Sequence, residues 1–341
     1  MADRPARTVV VTGGCGFLGM HVVPLLAGRN DTVRVVDTAA PPDWLRRLGV
    51  EFVQADVAHP GGIAAAMAGA DTVIHAAFAP PSASPDRIRA VNIDGTRLVC
   101  DAAGGAGQVI VVSSTIVTAP PRRHPVLRNA PLSRLDAYRV SRVAAEGVAT
   151  AAASPSLRVA VVRPRTFVGP GRIGGFAILF DLIRAGRAVP IAGPGTNRYQ
   201  LLDVRDLATG LAALVDRGGD GTYGLGAASF GSMADDLGQL IGAAGTGARL
   251  RRLPALVGRV AVRGVELAGL TPLAEWHHCT ARRADSVVDV ARARDELGWE
   301  PAFSNAQSLI DAYRWYASSP DDATTTHPVP RSHRRLARTF R

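Results

Sequence analysis

The sequence contains no lysine: all 39 basic residues of the 341-residue chain are arginine. At average usage a chain of this length holds on the order of twenty lysines, so the replacement indicates a coding bias toward arginine rather than selection at each site. The formal net charge of +10 would by itself suggest a nucleic-acid partner. However, the arginines are scattered and aromatic residues make up only 5% of the chain, so we expect no nucleic-acid binding.

Cysteines and long apolar runs are also scarce. Cys15, Cys100 and Cys279 lie far apart without a CxxC spacing, which indicates free thiols in a reducing compartment. There is no run of about 18 apolar residues and no signal-peptide pattern, so we expect a cytoplasmic protein without a membrane partner. The segment EWHHC (275–279) has adjacent residues that cannot readily converge on one ion, so we expect no metal site.

What the sequence does contain is a regular alternation of strand and helix patterns. Five apolar, β-branched runs have the composition of buried strands: TVVVT (8–12), TVRVVD (32–37), DTVIHAA (71–77), QVIVVSS (108–114) and LRVAVVRP (157–164). Segments of helical period lie between them, at 18–27, 61–69, 87–103 and 137–152. The alternation predicts an α/β fold, namely a Rossmann-type doubly wound parallel sheet.

The segment TGGCGFLG (12–19) lies between the first strand and the first helix. Gly13 allows a tight turn, Gly16 lets the backbone approach a pyrophosphate, and Gly19 lets the helix pack closely. The N-terminus of the helix would then face the phosphates. The pattern in this context predicts a dinucleotide-binding loop.

Asp37 ends the second strand, where a carboxylate can accept hydrogen bonds from the adenosine ribose. A carboxylate there repels a 2′-phosphate, so NAD is the expected cofactor and NADP the less favoured one. Arg34 and Arg29 lie nearby in sequence, and either could offset that repulsion by turning toward the phosphate.

Several motifs in the same order make the chain similar to the extended short-chain dehydrogenases, the NAD-dependent epimerase/dehydratase family. The resemblance covers about residues 8–316. Beside the glycine loop, it rests on ADV (55–57), HAA (75–77), VNIDGT (91–96), VVSSTIV (111–117), AYRVSR (137–142), RPRTFVGPG (163–171), NRYQLLDVRDLA (197–208) and DVARARDELGWEP (289–301).

The resemblance implies a set of site residues. The implied catalytic residues are Ser114, Tyr138 and Arg142. The implied cofactor contacts come from Gly13, Gly16, Phe17, Leu18, Gly19, Asp37, Asp56, Val57, Ala76, Ala77, Asn92, Tyr138 and Arg142. The implied substrate contacts come from Ser114, Thr115, Thr166, Arg198 and Arg282. His75 is interpreted as a packed core residue without a catalytic role.

Arg142 stands where many oxidoreductases of this kind have a lysine. On a helix, Tyr138 and Arg142 lie one turn apart on the same face, so both side chains can reach the nicotinamide ribose. A fixed positive charge favours the phenolate, and an arginine never loses its charge. We therefore expect a working proton-transfer pair rather than an inactive site.

The resemblance implies an oxidoreductase, epimerase or dehydratase that acts on a secondary alcohol through NAD, with a nucleotide sugar as the first candidate substrate. The SST segment lacks the Asp-Glu pair of similar dehydratases, which favours an epimerase or a dehydrogenase. One alternative is a 3β-hydroxysteroid-type dehydrogenase, because the apolar stretch 253–273 could cover an apolar pocket. Another is a dinucleotide-binding sensor or scaffold without turnover. A homodimer is the expected assembly.

The expected domains follow from these assignments. Residues 1–165 form the NAD-binding Rossmann domain, to which the chain returns around 197–226. Residues 166–316 form mainly a smaller C-terminal substrate-binding lobe, because Gly and Pro interrupt its short helical segments. The polar and then basic residues 317–341 form a disordered tail.

Overall fold

The computed structural model describes residues 6–29, 31–118, 125–127, 130, 132, 136–171, 176–254 and 285–318. The chain divides into two compact units. Unit 1 consists of Met1–Thr166, Val204–Gly226 and Val288–Glu300, and unit 2 consists of Phe167–Asp203, Ala227–Val287 and Pro301–Arg341.

Unit 1 contains a seven-stranded parallel sheet. Its strands are β1 (Thr8–Thr12), β2 (Thr32–Asp37), β3 (Glu51–Gln54), β4 (Thr72–His75), β5 (Gln108–Val112), β6 (Arg158–Pro164) and β10 (Gly221–Leu225). The central strands are continuous apolar runs because helices cover both faces of the sheet. All five residues of β5, for example, are buried.

The strand order is β10-β6-β5-β4-β1-β2-β3, so it reverses between β1 and β4. Such a reversal opens a crevice at the carboxyl ends of the two strands, and ligands of doubly wound sheets bind there. Thr12 pairs in register with His75, so the glycine loop after β1 and the Ala76–Ala77 segment after β4 begin side by side. The predicted Rossmann-type sheet is confirmed.

The helices of unit 1 form two layers. They are α1 (Gly19–Ala27), α2 (Asp43–Leu48), α3 (Pro60–Met67), α4 (Pro85–Arg89), α5 (Gly95–Ala102), α6 (Ala137–Ala151), α8 (Val204–Arg217) and α10 (Ala291–Leu297). Helix α1 contacts α8, while α3, α5 and α6 contact one another in that order. A π-helical turn, Ala90–Asp94, joins α4 to α5.

The start of α6 is fixed by a side-chain cap. The Asp136 carboxylate accepts a hydrogen bond from the Arg139 backbone N–H at 2.7 Å, which satisfies one of the free donors of the first turn. Tyr138 therefore lies in the first turn of the helix, and Arg142 lies one turn further along.

Unit 2 has its own core and two small parallel sheets. Strand β7 (Phe167–Val168) pairs with β9 (Leu202–Asp203), and β8 (Ala188–Ala192) pairs with β11 (Arg249–Leu253). Its helices are α7 (Ala177–Arg184), α9 (Met233–Ala244) and α11 (Asn305–Ser318). Aromatic rings join α7 to α11, since the Phe180 ring centroid lies 5.7 Å from that of Tyr313 and 5.6 Å from that of Tyr316.

Across the described parts of both units, no helix is long and apolar enough to cross a membrane. The predicted disordered tail, 317–341, begins inside a helix, since Ala317 and Ser318 belong to α11 (Asn305–Ser318). Its other residues, 319–341, and the segment 275–279 lie outside the described residues.

Candidate functional site

The glycine loop has the close contacts that its sequence predicts. Gly13 has a φ of 71° and lies against the next strand-end segment, because a Cβ there would be 2.9 Å from the Ala77 backbone nitrogen. A Cβ on Gly19 would be 1.9 Å from the Gly14 carbonyl oxygen, so α1 packs directly on the loop. A Cβ on Gly16 would meet only the Gly13 oxygen, at 3.1 Å. Gly16 is therefore the glycine of this loop with an open side for a ligand.

Phe17 and Leu18 complete the loop with their side chains turned inward. They are 4% and 7% exposed, and the Phe17 ring meets the His21 ring edge-on at 5.5 Å. Any contact of these two residues with a cofactor would come from their backbone.

Asp37 lies at the end of β2 and is bonded to the glycine loop. Its carboxylate accepts hydrogen bonds from the backbone N–H groups of Cys15 and Ala39, both at 3.0 Å. Burial first, and then the charge of Asp37, raises the pKa of the Cys15 thiol to about 12. Cys15 therefore stays protonated, and Asp37 presents a carboxylate of fixed orientation beside the loop.

The two arginines that could have offset this negative charge have partners elsewhere. The Nε of Arg34 donates to Glu51 at 2.7 Å, and its Nη1 donates to the carbonyl oxygens of Ala66 and Ala68 at 3.0 and 2.8 Å. Arg29 forms an ion pair with Asp216. Neither side chain is turned toward Asp37.

Asp56 and Val57 follow β3 at the same edge of the sheet. The Asp56 carboxylate accepts from the Ala58 N–H at 3.0 Å and pairs with the Arg87 guanidinium at 2.8 Å. Burial alone would raise the pKa of Asp56, but the Ala58 hydrogen bond and Arg87 outweigh it and lower the pKa. Val57 is buried against Gly95, so it would meet a ligand only through its backbone.

A buried hydrogen-bond chain begins behind the glycine loop. The Thr12 hydroxyl accepts from the Ala76 and Ala77 N–H groups at 3.2 and 3.3 Å, so its own proton points to His75 Nδ1, 2.8 Å away. His75 Nε2 must then carry the ring proton, which it donates to Thr96 Oγ1 at 3.0 Å. His75 is 0% exposed, and the chain fixes its tautomer.

The chain continues to α6 through Asn92, in the π-helical turn. Thr96 Oγ1 donates to the Asn92 carbonyl at 2.7 Å, and Asn92 Oδ1 accepts from the Ala79 N–H at 2.8 Å. Asn92 Nδ2 donates to Ser141 Oγ at 2.9 Å, which in turn donates to the Tyr138 carbonyl at 2.7 Å. Asn92 is 0% exposed. Asn92 therefore links the segment after β4, through Ala79, to α6, through Ser141. Its side chain is fully buried and cannot contact a ligand in this arrangement.

Ser114 and Thr115 follow β5. Ser114 is half-buried, and its Oγ accepts from the Ile116 N–H at 3.2 Å at the start of a short 3₁₀ turn. Thr115 is 9% exposed and accepts from the Arg165 guanidinium at 3.2 Å. Ser114 is therefore the more accessible of the two hydroxyls at this strand end.

Arg142 is buried at the carboxyl ends of β4 and β5. It is 4% exposed, its Nη2 donates to the Val112 carbonyl at 2.6 Å, and its guanidinium carbon lies 3.4 Å from the centroid of the Phe78 ring. Within the described residues its Nε and Nη1 have no hydrogen-bond partner. Burial lowers the pKa of Arg142, and the nearby Tyr138 and Glu146 oppose that shift.

Tyr138 is half-buried one turn before Arg142, and its phenol forms no hydrogen bond to the described part of the chain. Its hydroxyl is thus available to a ligand. The carboxylate of Glu146, which is buried further along α6, is bonded to another side chain. Glu146 forms a two-point ion pair with Arg163, at 2.7 and 3.1 Å. The Glu146 carboxylate is thus bonded to Arg163, and it acts on Arg142 only through its charge.

The predicted substrate contacts do not all lie in one unit. Thr166 is half-buried just after β6. Arg198 is exposed in unit 2, where its backbone N–H donates to Asp285 at 2.8 Å and its guanidinium lies 4.7 Å from the Phe230 ring centroid. Arg282 lies outside the described residues. Unit 1 thus gathers the glycine loop, Asp37, the Ala76–Ala77 segment, Ser114, Tyr138 and Arg142.

One cleft of unit 1 lies to the side of these residues. It has a volume of about 430 Å³, and its lining includes Thr115 and Thr118 as well as the carboxylates of Asp289, Asp295 and Glu296. None of the three predicted catalytic residues lines it, so we do not assign the chemistry to this cleft.

Phe78 is a site residue that the sequence motifs did not indicate. The available signal was an aromatic residue directly after HAA, but nothing local shows that its ring meets a guanidinium from α6. Contact between them depends on how β4 and α6 pack.

Sequence comparison finds relatives with and without a stated activity. The chain is 33% identical over 320 residues to the uncharacterized protein y4nG of Sinorhizobium fredii, covering 93% of this chain and 80% of that protein. It is 33% identical over 215 residues to the ceramide reductase of Caulobacter vibrioides, covering 62% of each. It is 38% identical over 141 residues to the rat 3 beta-hydroxysteroid dehydrogenase type 7, covering 37% of this chain and 41% of that one.

Structure comparison agrees with the fold. The NAD complex of UDP-glucuronic acid 4-epimerase from Bacillus cereus superposes with a TM-score of 0.72 at 18% identity, covering 91% of this chain and 98% of that one. A sequence profile for the NAD dependent epimerase/dehydratase family matches residues 9–226, which include β2 to β10, all of β1 except Thr8, and each of the three predicted catalytic residues. The chain belongs to the NAD dependent epimerase/dehydratase family.

Proposed function

We propose that the protein is an NAD(H)-dependent oxidoreductase of secondary alcohols, with Tyr138 as the proton-transfer group and Arg142 as the cation beside it. The observation that carries the proposal is the state of Arg142. A guanidinium at 4% exposure with two nitrogens unpartnered in the described chain is costly, unless a ligand accepts their hydrogen bonds. Ribose hydroxyls are suitable acceptors.

The residues present fit a dinucleotide. Gly16 leaves its side of the loop open, Asp37 offers two carboxylate oxygens for ribose hydroxyls, and Arg142 offers the two unpartnered nitrogens at the other end of the crevice. When bound, NAD supplies the acceptor or the donor of a hydride. The chain itself has to orient the substrate hydroxyl and to move its proton.

Asp37 favours NAD(H) over NADP(H). Its carboxylate is held by two backbone N–H groups, so it cannot easily turn away from a 2′-phosphate. Arg34, which could have compensated, is committed to Glu51 and two carbonyl oxygens. We expect calorimetric titration to give tighter binding of NADH than of NADPH, and Asp37→Asn to reduce that preference. Equal affinities in the unaltered protein would contradict this role.

The proton transfer is assigned to Tyr138. Arg142 lies one turn away on the same helix, where its positive charge would stabilise the negative charge that develops on the Tyr138 oxygen during proton transfer. Ser114, which follows β5, would donate a hydrogen bond from its hydroxyl to the substrate oxygen. During oxidation the phenolate would take the hydroxyl proton of the substrate, and during reduction the phenol would return it.

The substrate class is a hydrophobic alcohol or ketone in the first instance. Two relatives with a stated activity, a ceramide reductase and a 3 beta-hydroxysteroid dehydrogenase, are named for lipid substrates and exceed 30% identity over their matched parts. The structural neighbours named for nucleotide sugars share less than 25% identity. A nucleotide sugar, which the family resemblance suggested first, remains the second candidate because the likeness to UDP-glucuronic acid 4-epimerase extends over most of both chains.

The test combines a substrate panel with two tyrosine variants. Turnover of long-chain keto-sphingoid bases and 3β-hydroxysteroids would be compared with that of UDP-sugars, by NADH absorbance for the former and by product analysis for the latter. Tyr138→Phe should abolish turnover while NADH affinity stays nearly intact. Tyr223→Phe is the matched control, because it also removes one phenolic hydroxyl but one that is bonded to Glu296.

Two outcomes would revise the proposal. Unchanged turnover in Tyr138→Phe would show that another group moves the proton. If the unaltered protein binds NADH but turns over no compound of the panel, the protein is better explained as a dinucleotide-binding sensor or scaffold. The expected homodimer is a separate prediction, which light scattering on the purified protein tests.

A further inference from the structure

The ring of Phe78 lies directly against the cation of the candidate site. Its centroid is 3.4 Å from the guanidinium carbon of Arg142. Carbon atoms in contact lie about 3.5–4.0 Å apart, so the guanidinium carbon has to sit near the axis of the ring. A guanidinium that stood on edge there would bring a nitrogen well inside the contact distance. The planar group of Arg142 therefore lies flat on the ring, in the geometry of a cation–π contact.

The ring of Phe78 is itself held in place. The residue before it, Ala77, donates its N–H to Thr12 Oγ1 at 3.3 Å. The residue after it, Ala79, donates its N–H to the Asn92 side chain at 2.8 Å. The ring is half-buried and packs against the apolar core of unit 1. Both the backbone and the packing therefore fix the surface that Phe78 presents.

The one hydrogen bond of the Arg142 guanidinium within the described residues does not orient the group by itself. Nη2 donates to the Val112 carbonyl at 2.6 Å, and the plane of the group could still turn about that bond. The flat contact with Phe78 removes this rotation, because such a turn would lift the group off the ring. Nε and Nη1, which have no partner in the described chain, then point in set directions.

Apolar packing alone does not explain an aromatic residue at this position. An aliphatic side chain could also pack against the core of unit 1, but it offers no π face to a cation. A lysine ammonium has three rotatable donors and needs no plane to orient them, whereas the donors of an arginine are fixed in one plane. A flat ring at position 78 therefore matches an arginine, rather than a lysine, at position 142.

We propose that Phe78 is a positioning residue, whose ring holds the Arg142 guanidinium in the plane in which Nε and Nη1 meet the ribose hydroxyls of bound NAD(H). The inference rests on the proposed contact between Arg142 and the dinucleotide. A side chain that is held before its ligand arrives loses less conformational freedom on binding. For one arginine this advantage amounts to roughly two- to tenfold in affinity.

The test is a double-mutant cycle on NADH affinity, measured by calorimetry with the full-length protein. Phe78→Leu should weaken NADH binding roughly two- to tenfold. Phe78→Tyr keeps the aromatic face, so its affinity should stay within about twofold of that of the unaltered protein. Arg142→Met removes the cation but keeps a long side chain, and it should weaken binding by itself. Adding Phe78→Leu to Arg142→Met should cause no further loss, because there is no guanidinium left to position.

The matched control is Phe52→Leu. Phe52 is a half-buried phenylalanine of β3 in the same unit, and its ring contacts no guanidinium within the described residues. NADH affinity in this variant should equal that of the unaltered protein. Thermal midpoints without NADH show which variants are folded, and Phe78→Met, which also lacks a ring, replaces Phe78→Leu if the latter does not fold.

Three results would overturn the proposal: equal NADH affinity in Phe78→Leu and the unaltered protein, no recovery of affinity in Phe78→Tyr, or the same loss from Phe78→Leu in the Arg142→Met background. The last result would show that Phe78 contacts the dinucleotide directly or acts through the fold. If the unaltered protein does not bind NADH, the proposed function fails together with this inference. If it binds NADH but Phe78→Leu has no effect, only the inference fails.

Discussion

Acid should destabilise the protein through one buried side chain, His75. The ring is 0% exposed and bonded at both nitrogens, and burial first and then the positive charge of Arg142 lower the pKa of His75 to about 3. In the unfolded chain the pKa is about 6.5. Below pH 6.5 the unfolded chain therefore binds a proton that the folded chain does not, and the free energy of unfolding falls as the pH falls.

The magnitude follows from the size of the shift. Each pH unit within the window between the two pKa values lowers the free energy of unfolding by about 1.4 kcal/mol, which amounts to about 5 kcal/mol by about pH 3. Between about pH 6.5 and pH 4.5 the loss due to His75 should be roughly 2–3 kcal/mol. In this narrower window most carboxylates of a protein stay ionised, so the histidine contribution can be separated from theirs.

The assay is urea unfolding at several pH values in that window, with His75→Gln and the control His59→Gln. The side chain of His59 is 77% exposed, so its removal should leave the pH dependence as it is. His75→Gln should flatten the dependence, whatever it does to the absolute stability, because glutamine binds no proton. If wild type and His75→Gln lose stability with the same slope, His75 is not kept neutral by burial and the assigned hydrogen-bond chain is wrong.

Three further substitutions test other contacts of unit 1. Arg142→Lys keeps a cation but loses the stacked guanidinium, so the free energy of unfolding, measured by thermal unfolding, should fall by about 1–2 kcal/mol while turnover stays detectable. Arg142→Ala should weaken both NADH binding and turnover. Glu146→Gln leaves the buried Arg163 without its counter-charge and should lower the free energy of unfolding, measured in urea, by about 3–5 kcal/mol. Gly19→Ala should weaken NADH binding by more than about tenfold in calorimetry, since its Cβ would overlap a backbone oxygen. Gly147→Ala, on the open side of α6, should instead raise the free energy of unfolding by about 0.5–1 kcal/mol.

The central strands were predictable and the edge strands were not. The runs at 8–12 and 32–37 coincide with β1 and β2, because the valines of both strands lie on faces of the sheet that helices cover. Strand β3 (Glu51–Gln54) and strand β10 (Gly221–Leu225) have no such run. They lie at the two edges of the sheet, where part of each strand faces solvent and polar residues and glycine are tolerated.

In the candidate site, the sequence predicts contacts along the chain better than contacts across it. The spacing of Tyr138 and Arg142 and the glycine pattern are local: the two residues lie on one helix, α6, and the glycines lie between β1 and the start of α1. The commitment of Arg34 to Glu51 depends on β2 pairing with β3, and the contact of Arg142 with Phe78 depends on α6 packing beside β4. Neither can be read from spacing, because each joins segments whose distance is set by the sheet.

The same cross-chain contacts explain how an arginine can occupy this position at all. Stacking on Phe78 and the hydrogen bond to the Val112 carbonyl engage one face and one end of the guanidinium. They leave Nε and Nη1 without partners in the described chain, so the planar group is held in place while the three N–H donors of these two nitrogens stay available. A buried cation with unpartnered donors lowers stability, and an apolar side chain of similar volume would avoid that cost. A ligand that accepts hydrogen bonds from Nε and Nη1 would remove that cost. A bound dinucleotide would do so in an enzyme and in a non-catalytic sensor alike. Only the enzyme needs the Tyr138 hydroxyl for proton transfer, so the Tyr138→Phe variant distinguishes the two functions.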